Sequence, residues 1–291
     1  MLYAFFAYFF WGFFPVYWRL LKHVPIFEVL AHRLIWACVF YTLVLFIKNK
    51  KFVFYKPKSK KSFLILFFAA LALMANWFVY IYSVNHNQVL EGSLGYFINP
   101  IVNIILGVTL LKEKLNRHQI ISALTATIGV LVITFDQGHL PWIALFLAAT
   151  FSFYGFSKKI NSEATGLESN QFESVIFFPM ALMYIIYLFS TSQTTWINST
   201  EVSPLQTSLL LMGAGVITGF PLVLFAEGAR RLPYYMMGFF QFLAPTLQFI
   251  VGYFIFKEPL SQHKLLGFFI IWAAILYLII SNYFLNRKKI N

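Results

Sequence analysis

Long apolar stretches alternate with short polar gaps along almost the whole chain. Ten such runs occupy residues 2–20, 28–47, 63–84, 92–111, 120–135, 140–157, 171–190, 207–228, 234–256 and 265–285. A helix needs about 20 apolar residues to cross a bilayer, and in lipid a spanning segment has to satisfy its own backbone hydrogen bonds. The pattern therefore predicts an all-α integral membrane protein with ten transmembrane helices.

The composition excludes a soluble domain on a single anchor. Of the 291 residues, 60% are hydrophobic and 11% are charged, whereas soluble domains carry about 25% charged residues. The net charge of +12 does not indicate a nucleic-acid partner, because the lysines and arginines lie in the gaps between apolar runs and form no basic and aromatic surface.

The positions of these basic residues predict the orientation in the membrane. Ten spans put both termini on one side, and that side receives 17 of the 22 lysines and arginines, while the opposite side receives four. Arg33 lies inside the second span. Because basic residues are enriched in cytoplasmic loops, we expect both termini in the cytoplasm.

An internal repeat relates the two halves of the chain at a fixed offset of 145 residues. The paired positions include Phe97 with Phe242, Pro100 with Pro245, Gly107 with Gly252, and Glu113 with Glu258. Each half, 1–137 and 138–291, holds five spans, and this odd number inverts the second half relative to the first. Inverted repeats of this kind place a substrate site near the midplane and permit alternating access.

Polar residues form a stripe on the fourth span and another at the repeat-related positions of the ninth. The fourth span contributes Tyr96, Asn99 and Asn103, and the ninth contributes Gln241 and Gln248. Two such faces predict a shared substrate cavity, mainly because they coincide under the repeat and also because polar groups inside a membrane are costly. The alternative is helix packing, in which the amides bond across an interface.

Further candidates for substrate contacts lie on three other spans. Asn76 and Tyr80 share a face of the third span, and the first and sixth spans add Trp11 and Tyr154. Aromatic walls with a few amides suit a small amphipathic organic molecule. Aromatic residues are so common in this chain that the alternative for each is a place against lipid or in the interfacial belt.

Three ionisable residues are candidates for charge pairing or coupling. His32 and Arg33 lie in the second span, and Glu227 lies near the end of the eighth. Arg33 either snorkels to the outer surface or holds an anionic substrate group. Glu227 either pairs with Arg230, three residues later, or carries a coupling proton.

The sequence predicts neither catalysis nor a bound metal or cofactor. It has no HExxH, CxxC or Walker motif, and its one aspartate, Asp136, falls in a loop. Without ligand clusters or a paired nucleophile and base, we expect no enzyme activity. Without a nucleotide-binding motif, any active transport has to be secondary.

Four stretches are specific enough to suggest a family. They are FFWGFFPVYWRLLKHVPIFEVLAHRLIWA at 9–37, LPWIALFLAATFSFYGFSKK at 140–159, and the segments 76–115 and 218–264. With them the chain resembles the EamA family of the drug/metabolite transporter superfamily, and within it the RarD-type branch. The resemblance implies a ten-helix carrier of a bacterial-type inner membrane, with a central cavity lined mainly by helices 1, 3, 4, 6, 8 and 9.

These features together predict a secondary carrier, which could be a permease, an exporter or an exchanger. Its substrate would be a small organic metabolite, an amino-acid-like compound or a drug-like amphiphile. The alternative is a non-transporting scaffold or assembly subunit. A carrier and a scaffold would both be surrounded by membrane lipid. Small residues on a helix face could form a homodimer contact or could pack the two halves of the chain together.

Overall fold

The structure is a computed structural model that describes residues 1–85, 89–135, 141–198, 202–257 and 262–287. Within these ranges the chain is helical and contains no strand. Six helical stretches there are long and apolar enough to cross a membrane. Large apolar side chains such as Phe68, Leu124 and Met183 are exposed on the outside of the bundle, where they would face lipid. The prediction of an all-helical membrane protein is confirmed.

The helices follow one another with short connections. In chain order they are α1 (Leu2–Gly12), α2 (Phe14–Leu20), α3 (Ile26–Asn49), α4 (Lys60–Asn85), α5 (Val89–Thr109), α6 (Arg117–Phe135), α7 (Trp142–Ile160), α8 (Gly166–Ser190), α9 (Thr195–Asn198), α10 (Pro204–Arg231), α11 (Tyr234–Gln241), α12 (Leu243–Ile250) and α13 (Gln262–Arg287). A π-helical turn, Val251–Ile255, continues α12.

Each predicted apolar run coincides with a helix, or with consecutive helices, over its described residues. The first run is divided at Phe13 and the ninth at Phe242. Pro15 and Pro245 follow these breaks closely, and proline has no N–H with which to continue the helical hydrogen bonds. The four-residue helix α9 lies outside the apolar runs, so the hydrophobic pattern did not predict it.

The helices pack in a defined set of pairs. α6 lies against α13, α3 against α8, and α5 against both α7 and α11. α10 contacts α1 and α3, α4 contacts α7 and α8, and α12 contacts α1. Glycines allow the closest approaches: a Cβ added to Gly129 of α6 would lie 2.8 Å from the carbonyl oxygen of Gly267 in α13. Small residues at such crossings let two backbones come together in a membrane.

Two carboxylates accept hydrogen bonds from the N-terminal backbone N–H groups of helices that are distant in sequence. Glu28 of α3 accepts hydrogen bonds from the backbone N–H groups of Thr195 and Trp196 at the start of α9, at 3.0 and 3.1 Å. Glu113, beyond α5, accepts from the first two N–H groups of α11, at 2.6 and 2.9 Å. These first-turn groups have no partner inside their own helix, so the two acids connect separate parts of the bundle.

A third carboxylate ties the α3–α4 connection to the α7–α8 connection. Glu163 accepts hydrogen bonds from the backbone N–H groups of Lys58 and Ser59, each at 3.2 Å, and from the Ser59 hydroxyl. The Ser59 hydroxyl bond holds the pKa of Glu163 below its ordinary value, because it stabilises the ionised form. At neutral pH the acceptor of these hydrogen bonds is therefore an ionised carboxylate.

We expect Gly215→Ala to destabilise the protein by about 1–3 kcal/mol through overpacking. Gly215 of α10 lies against α3, where an added Cβ would come within 2.5 Å of the backbone nitrogen of Ala37. The two helices would have to separate, and the apparent unfolding temperature in detergent would fall. The control is Val216→Leu at the exposed neighbouring position, which should change stability by less than about 0.5 kcal/mol. Equal unfolding temperatures for both variants would contradict the close approach of α3 and α10.

Candidate functional site

A small cavity lies inside the bundle between α3, α4, α7, α8 and α10. Its volume is about 30 Å³, and its wall is mostly apolar. The polar residues in that wall are Tyr41, Tyr154, Asn170, Glu173, Ser174 and Thr218. A cavity of this size has room for water, whereas sites for organic ligands usually measure about 300–1,000 Å³.

One side of the cavity carries a buried ion pair. Lys158 lies near the end of α7 and Glu173 lies two turns into α8, and their side chains are 0% and 5% exposed. The Lys158 ammonium also donates hydrogen bonds to Ser169 Oγ at 3.0 Å and to Asn170 Oδ1 at 2.7 Å. With Glu173 as the third acceptor, all three donors of the ammonium group are used. The charge of Lys158 is thus fully compensated inside the bundle.

The local sequence of α8 explains why these groups meet. Thr165 precedes the helix and accepts a hydrogen bond from the backbone N–H of Glu168, whose carboxylate accepts in return from the N–H of Thr165. This capping box fixes where α8 begins. From that start, Ser169, Asn170 and Glu173 fall at positions i, i+1 and i+4 on one face of the helix. The face turns toward α7 and the Lys158 ammonium.

Two buried polar atoms at this cavity have no hydrogen-bond partner among the described residues. They are Asn170 Nδ2 and Thr218 Oγ1, on residues that are 2% and 0% exposed. A buried polar group without a partner costs about 1–3 kcal/mol, so each such group calls for a functional or solvent explanation. The cavity wall therefore has unused hydrogen-bonding capacity.

Arg33 lies close to the same cavity. Its guanidinium is 4.0 Å from the ring centroid of Trp77, which lines the cavity, and 5.4 Å from that of Trp18. Arg33 Nε is buried and has no partner in the part of the chain that the structure describes. Attraction to aromatic faces accounts for the position of the cation. Its neighbour His32 is buried, accepts a hydrogen bond from the Trp36 indole at 3.3 Å and packs its ring on Trp196.

A second polar cluster joins α1, α5 and α11. Asn103 Nδ2 donates to Gln241 Oε1 at 2.5 Å, and the same oxygen accepts from the Tyr8 hydroxyl at 3.3 Å. Tyr234 donates its hydroxyl to Asn103 Oδ1 at 2.8 Å. All four side chains are buried. The polar stripes predicted on the fourth and ninth spans thus meet directly, through amides that bond across the interface.

Other predicted amides also connect helices. Asn76 and Asn99 donate to two successive carbonyl groups of α7, at 2.8 and 2.7 Å. Gln248 donates to the carbonyl oxygen of Trp11 at 3.1 Å. Pro15 lies four residues after that carbonyl and has no N–H to offer it. The Gln248 side chain therefore supplies a hydrogen bond that the broken first span lacks.

The predicted aromatic contacts are divided between several places. Tyr154 lines the cavity. Trp11 packs against Phe225, with ring centroids 5.4 Å apart, and Tyr80 lies 6.1 Å from the ring of Tyr96, which is 38% exposed. Among the predicted substrate contacts, Tyr154 is the one in the cavity wall. A role in substrate binding stays a prediction for every one of them.

Glu227 belongs to a separate ion-pair group at the end of α10. It accepts a hydrogen bond from the backbone N–H of Gly166 at 2.6 Å. It also pairs with Arg230 at 3.4 Å and with Arg231 at 2.9 Å. Glu227 therefore pairs with two basic residues and accepts a hydrogen bond from the first N–H group of α8.

Lys158 and Glu173 were not predicted as a pair. Lys158 follows the sixth apolar run and was expected among the basic residues of a loop, and Glu173 was not singled out within the seventh run. The available signal was the acid itself, because a carboxylate inside a spanning segment requires a partner. The chain offers Lys158 only fifteen residues earlier, across a five-residue connection.

A model of the EamA-like transporter family matches residues 1–135. The chain is 43% identical to an uncharacterized transporter, YojE, of Bacillus subtilis, over 91% of this chain and 88% of that protein. It is 36% identical to Protein RarD of Escherichia coli, over 97% and 94% of the two chains. The chain belongs to the EamA family. The RarD relatives place it in the RarD-type branch, as the sequence predicted.

A solved crystal structure has the same fold as this EamA protein. It aligns with a TM-score of 0.73 and covers 96% of this chain and 97% of its own. The sequence identity is 15%, so the similarity concerns the fold alone. The relatives that are named transporters support a membrane transporter of the drug/metabolite type.

We expect Lys158→Met to destabilise this EamA protein by about 3–5 kcal/mol, because it leaves Glu173 buried without its partner. The double variant Lys158→Met/Glu173→Gln removes both charges and should recover most of that loss. Unfolding in detergent, followed by tryptophan fluorescence, would compare the two variants with the natural chain. A double variant no more stable than Lys158→Met would show that the two side chains do not stabilise each other.

Proposed function

We propose that this protein is a secondary carrier that moves a small organic solute across a bacterial-type inner membrane. The observation that carries the proposal is the cavity beside Lys158 and Glu173. Helices from both halves of the chain surround it, α3 and α4 from the first and α7, α8 and α10 from the second. Ionisable residues within a membrane bundle are costly and usually mark a substrate or ion pathway.

Two inverted five-helix repeats, 1–137 and 138–291, would provide the moving parts. The contacts between helices support this arrangement. When each helix is replaced by its counterpart five spans along the chain, the contact α3–α10 becomes α8–α4, α1–α10 becomes α7–α4, and α5–α7 becomes α12–α1, and all of these contacts are present. The same shift returns α3–α8, α5–α11 and α6–α13 to themselves. Such pairing is expected of ten spans around a two-fold axis in the membrane plane. Both termini would lie in the cytoplasm, on the side richer in basic residues.

The small cavity fits a carrier in a closed state between two open ones. Apolar and aromatic side chains such as Trp77, Phe177 and Leu222 make up most of the wall, and they suit an amphipathic organic solute. Because the cavity holds only water-sized molecules, the solute would enter when one half rocks against the other. The chain would use no cofactor and would perform no catalysis.

A single reactive cysteine in the cavity would test alternating access. Thr218 lines the cavity and is fully buried, so in a Cys38→Ala background Thr218→Cys should react slowly with a charged methanethiosulfonate reagent. We expect reaction from either face, in right-side-out and in inside-out vesicles, because each open state exposes the cavity to one side.

Two control positions define the background of this measurement. Ser59→Cys, in the connection between α3 and α4, should react from one face only, and Val216→Cys, on the exposed outside of α10, should react from neither. If Thr218→Cys reacted from one face or from none, alternating access would be wrong, and a scaffold role would account better for the fold.

A further inference from the structure

We propose that Glu173 takes up a proton when an organic monoanion binds in the cavity beside it, so that the carrier moves the anion and the proton together. This inference rests on the proposed transport function. It assigns the Lys158–Glu173 pair a role in coupling and names a class of substrate. The charge of the pair, the hydrogen-bond donors of the cavity and its apolar wall all favour such a substrate.

The charge of the pair is balanced only while Glu173 is ionised. If Glu173 takes up a proton, the Lys158 ammonium keeps its charge and has only neutral acceptors around it, namely Ser169 Oγ, Asn170 Oδ1 and the uncharged carboxyl group. An uncompensated charge in this buried position is strongly unfavourable. An anion in the cavity would compensate it, because Asn170 and Glu173 both belong to the cavity wall and Lys158 lies one hydrogen bond behind them.

The unused hydrogen-bonding groups around the cavity favour an anion. Asn170 Nδ2 and Arg33 Nε can only donate, and Thr218 Oγ1 can donate or accept. All three atoms are buried without a partner in the described structure. Arg33 contacts the cavity wall through the ring of Trp77. An oxyanion accepts hydrogen bonds from such donors. An amine or a metal cation would lie near two cations, Lys158 and Arg33, and the carboxylate in the described wall is already paired.

Binding of the two ions is then linked in both directions. An anion that accepts from Lys158 or Asn170 competes with the Glu173 carboxylate, which lowers the cost of protonating it. A proton on Glu173 in turn frees Lys158 for the anion. By thermodynamic reciprocity each ion strengthens binding of the other. One proton and one monoanion add no net charge to the cavity, so the loaded carrier is as neutral as the empty one.

Glu173 is the carboxyl group among the described residues that line this cavity. From α7 it faces Lys158 and Tyr154, and from α3 it faces Tyr41. Cys38 of α3 lies nearby, beside Ser174. Phenols and thiols are ordinarily neutral at pH 7, and the cavity-lining residues of α4 and α10 have no titratable side chain.

The rest of the wall selects an organic anion over an inorganic one. Leu34, Met74, Trp77, Phe177 and Leu222 surround the polar end with apolar surface. An inorganic anion would leave this surface uncovered when the cavity opens, whereas an aromatic or aliphatic group would cover it. The cavity thus fits a molecule with one anionic end and one apolar end.

Calorimetric binding of benzenesulfonate to the purified full-length protein tests the proposal. This anion stays charged across the pH range, so any proton uptake belongs to the protein. Titrations in two buffers of different ionisation enthalpy should give about one proton taken up per anion bound at pH 7, and affinity should fall by up to about tenfold for each unit of rising pH. Cyclohexanecarboxylate should behave alike at neutral pH, and phenyltrimethylammonium should not bind.

Three variants assign the proton to Glu173. Glu173→Gln should bind benzenesulfonate without proton uptake and with an affinity that does not depend on pH. Glu163→Gln changes a carboxylate outside the cavity and should keep the behaviour of the natural chain. The double variant Lys158→Met/Glu173→Gln carries neither charge, remains foldable if Glu173→Gln alone does not, and should lose anion binding by tenfold or more.

A thermal measurement separates this role from a purely structural one. In Glu173→Gln the Lys158 charge is unpaired, so benzenesulfonate should raise the unfolding temperature of this variant more than that of the natural chain. A purely structural ion pair predicts no such rescue.

Three results would overturn the proposal: anion binding without proton uptake, unchanged proton uptake in Glu173→Gln, or no binding of either anion up to about 10 mM. Any of them would leave the transport function standing if Thr218→Cys still reacts from both faces. Failure of that two-sided reaction would instead remove the basis of both.

Discussion

Inside lipid a polar group cannot form hydrogen bonds with water, and the packing of the bundle depends on this constraint. Asn76 and Asn99 donate to backbone carbonyls of α7, and Gln248 donates to the carbonyl that Pro15 leaves without a helical partner. Glu28 and Glu113 accept the free N–H groups at the starts of α9 and α11. In each case a polar side chain replaces a hydrogen bond that a soluble protein could leave to solvent. Polar residues thus decide which helices pack together.

At the cavity two buried polar groups lack such a replacement. Asn170 Nδ2 and Thr218 Oγ1 have no partner among the described residues, although the Asn170 carbonyl beside them accepts from Lys158. The same wall contains Glu173, whose buried partner Lys158 lies directly behind it. The amides of Asn76, Asn99 and Gln248 all find partners on neighbouring helices, whereas the two open groups of the cavity wall are available to another molecule. In the Asn103–Gln241 cluster the polar groups bond to one another, as expected of a contact between helices. At the cavity two polar groups are left open, as expected of a binding site.

The sequence predicted the helices well and the site less well, for different physical reasons. A spanning helix is visible as a local apolar run. The breaks at Phe13 and Phe242 were not predicted, and prolines alone do not mark them, because Pro100 and Pro179 lie inside continuous helices. The polar stripes identified Asn103 and Gln241, which do meet, but a stripe cannot tell whether its partner is a ligand or another helix. Lys158 lies at the end of an apolar run, where a basic residue also fits a cytoplasmic loop. Its burial depends on the capping box that sets the start of α8, and local hydropathy does not report that geometry.

Two carboxylates of the second half, Glu227 and Glu173, illustrate why position matters more than residue type. Glu227 pairs with two arginines and accepts a backbone N–H at the edge of the bundle, so losing its charge would leave both arginines able to reach water. Glu173 has one cationic partner, and neither side chain reaches solvent. A change of charge there has to be offset within the bundle itself. An anion in the adjoining cavity could provide that compensation, because Asn170 lies between the cavity and Lys158 and is hydrogen-bonded to Lys158. For this reason we assign coupling to Glu173 and not to Glu227.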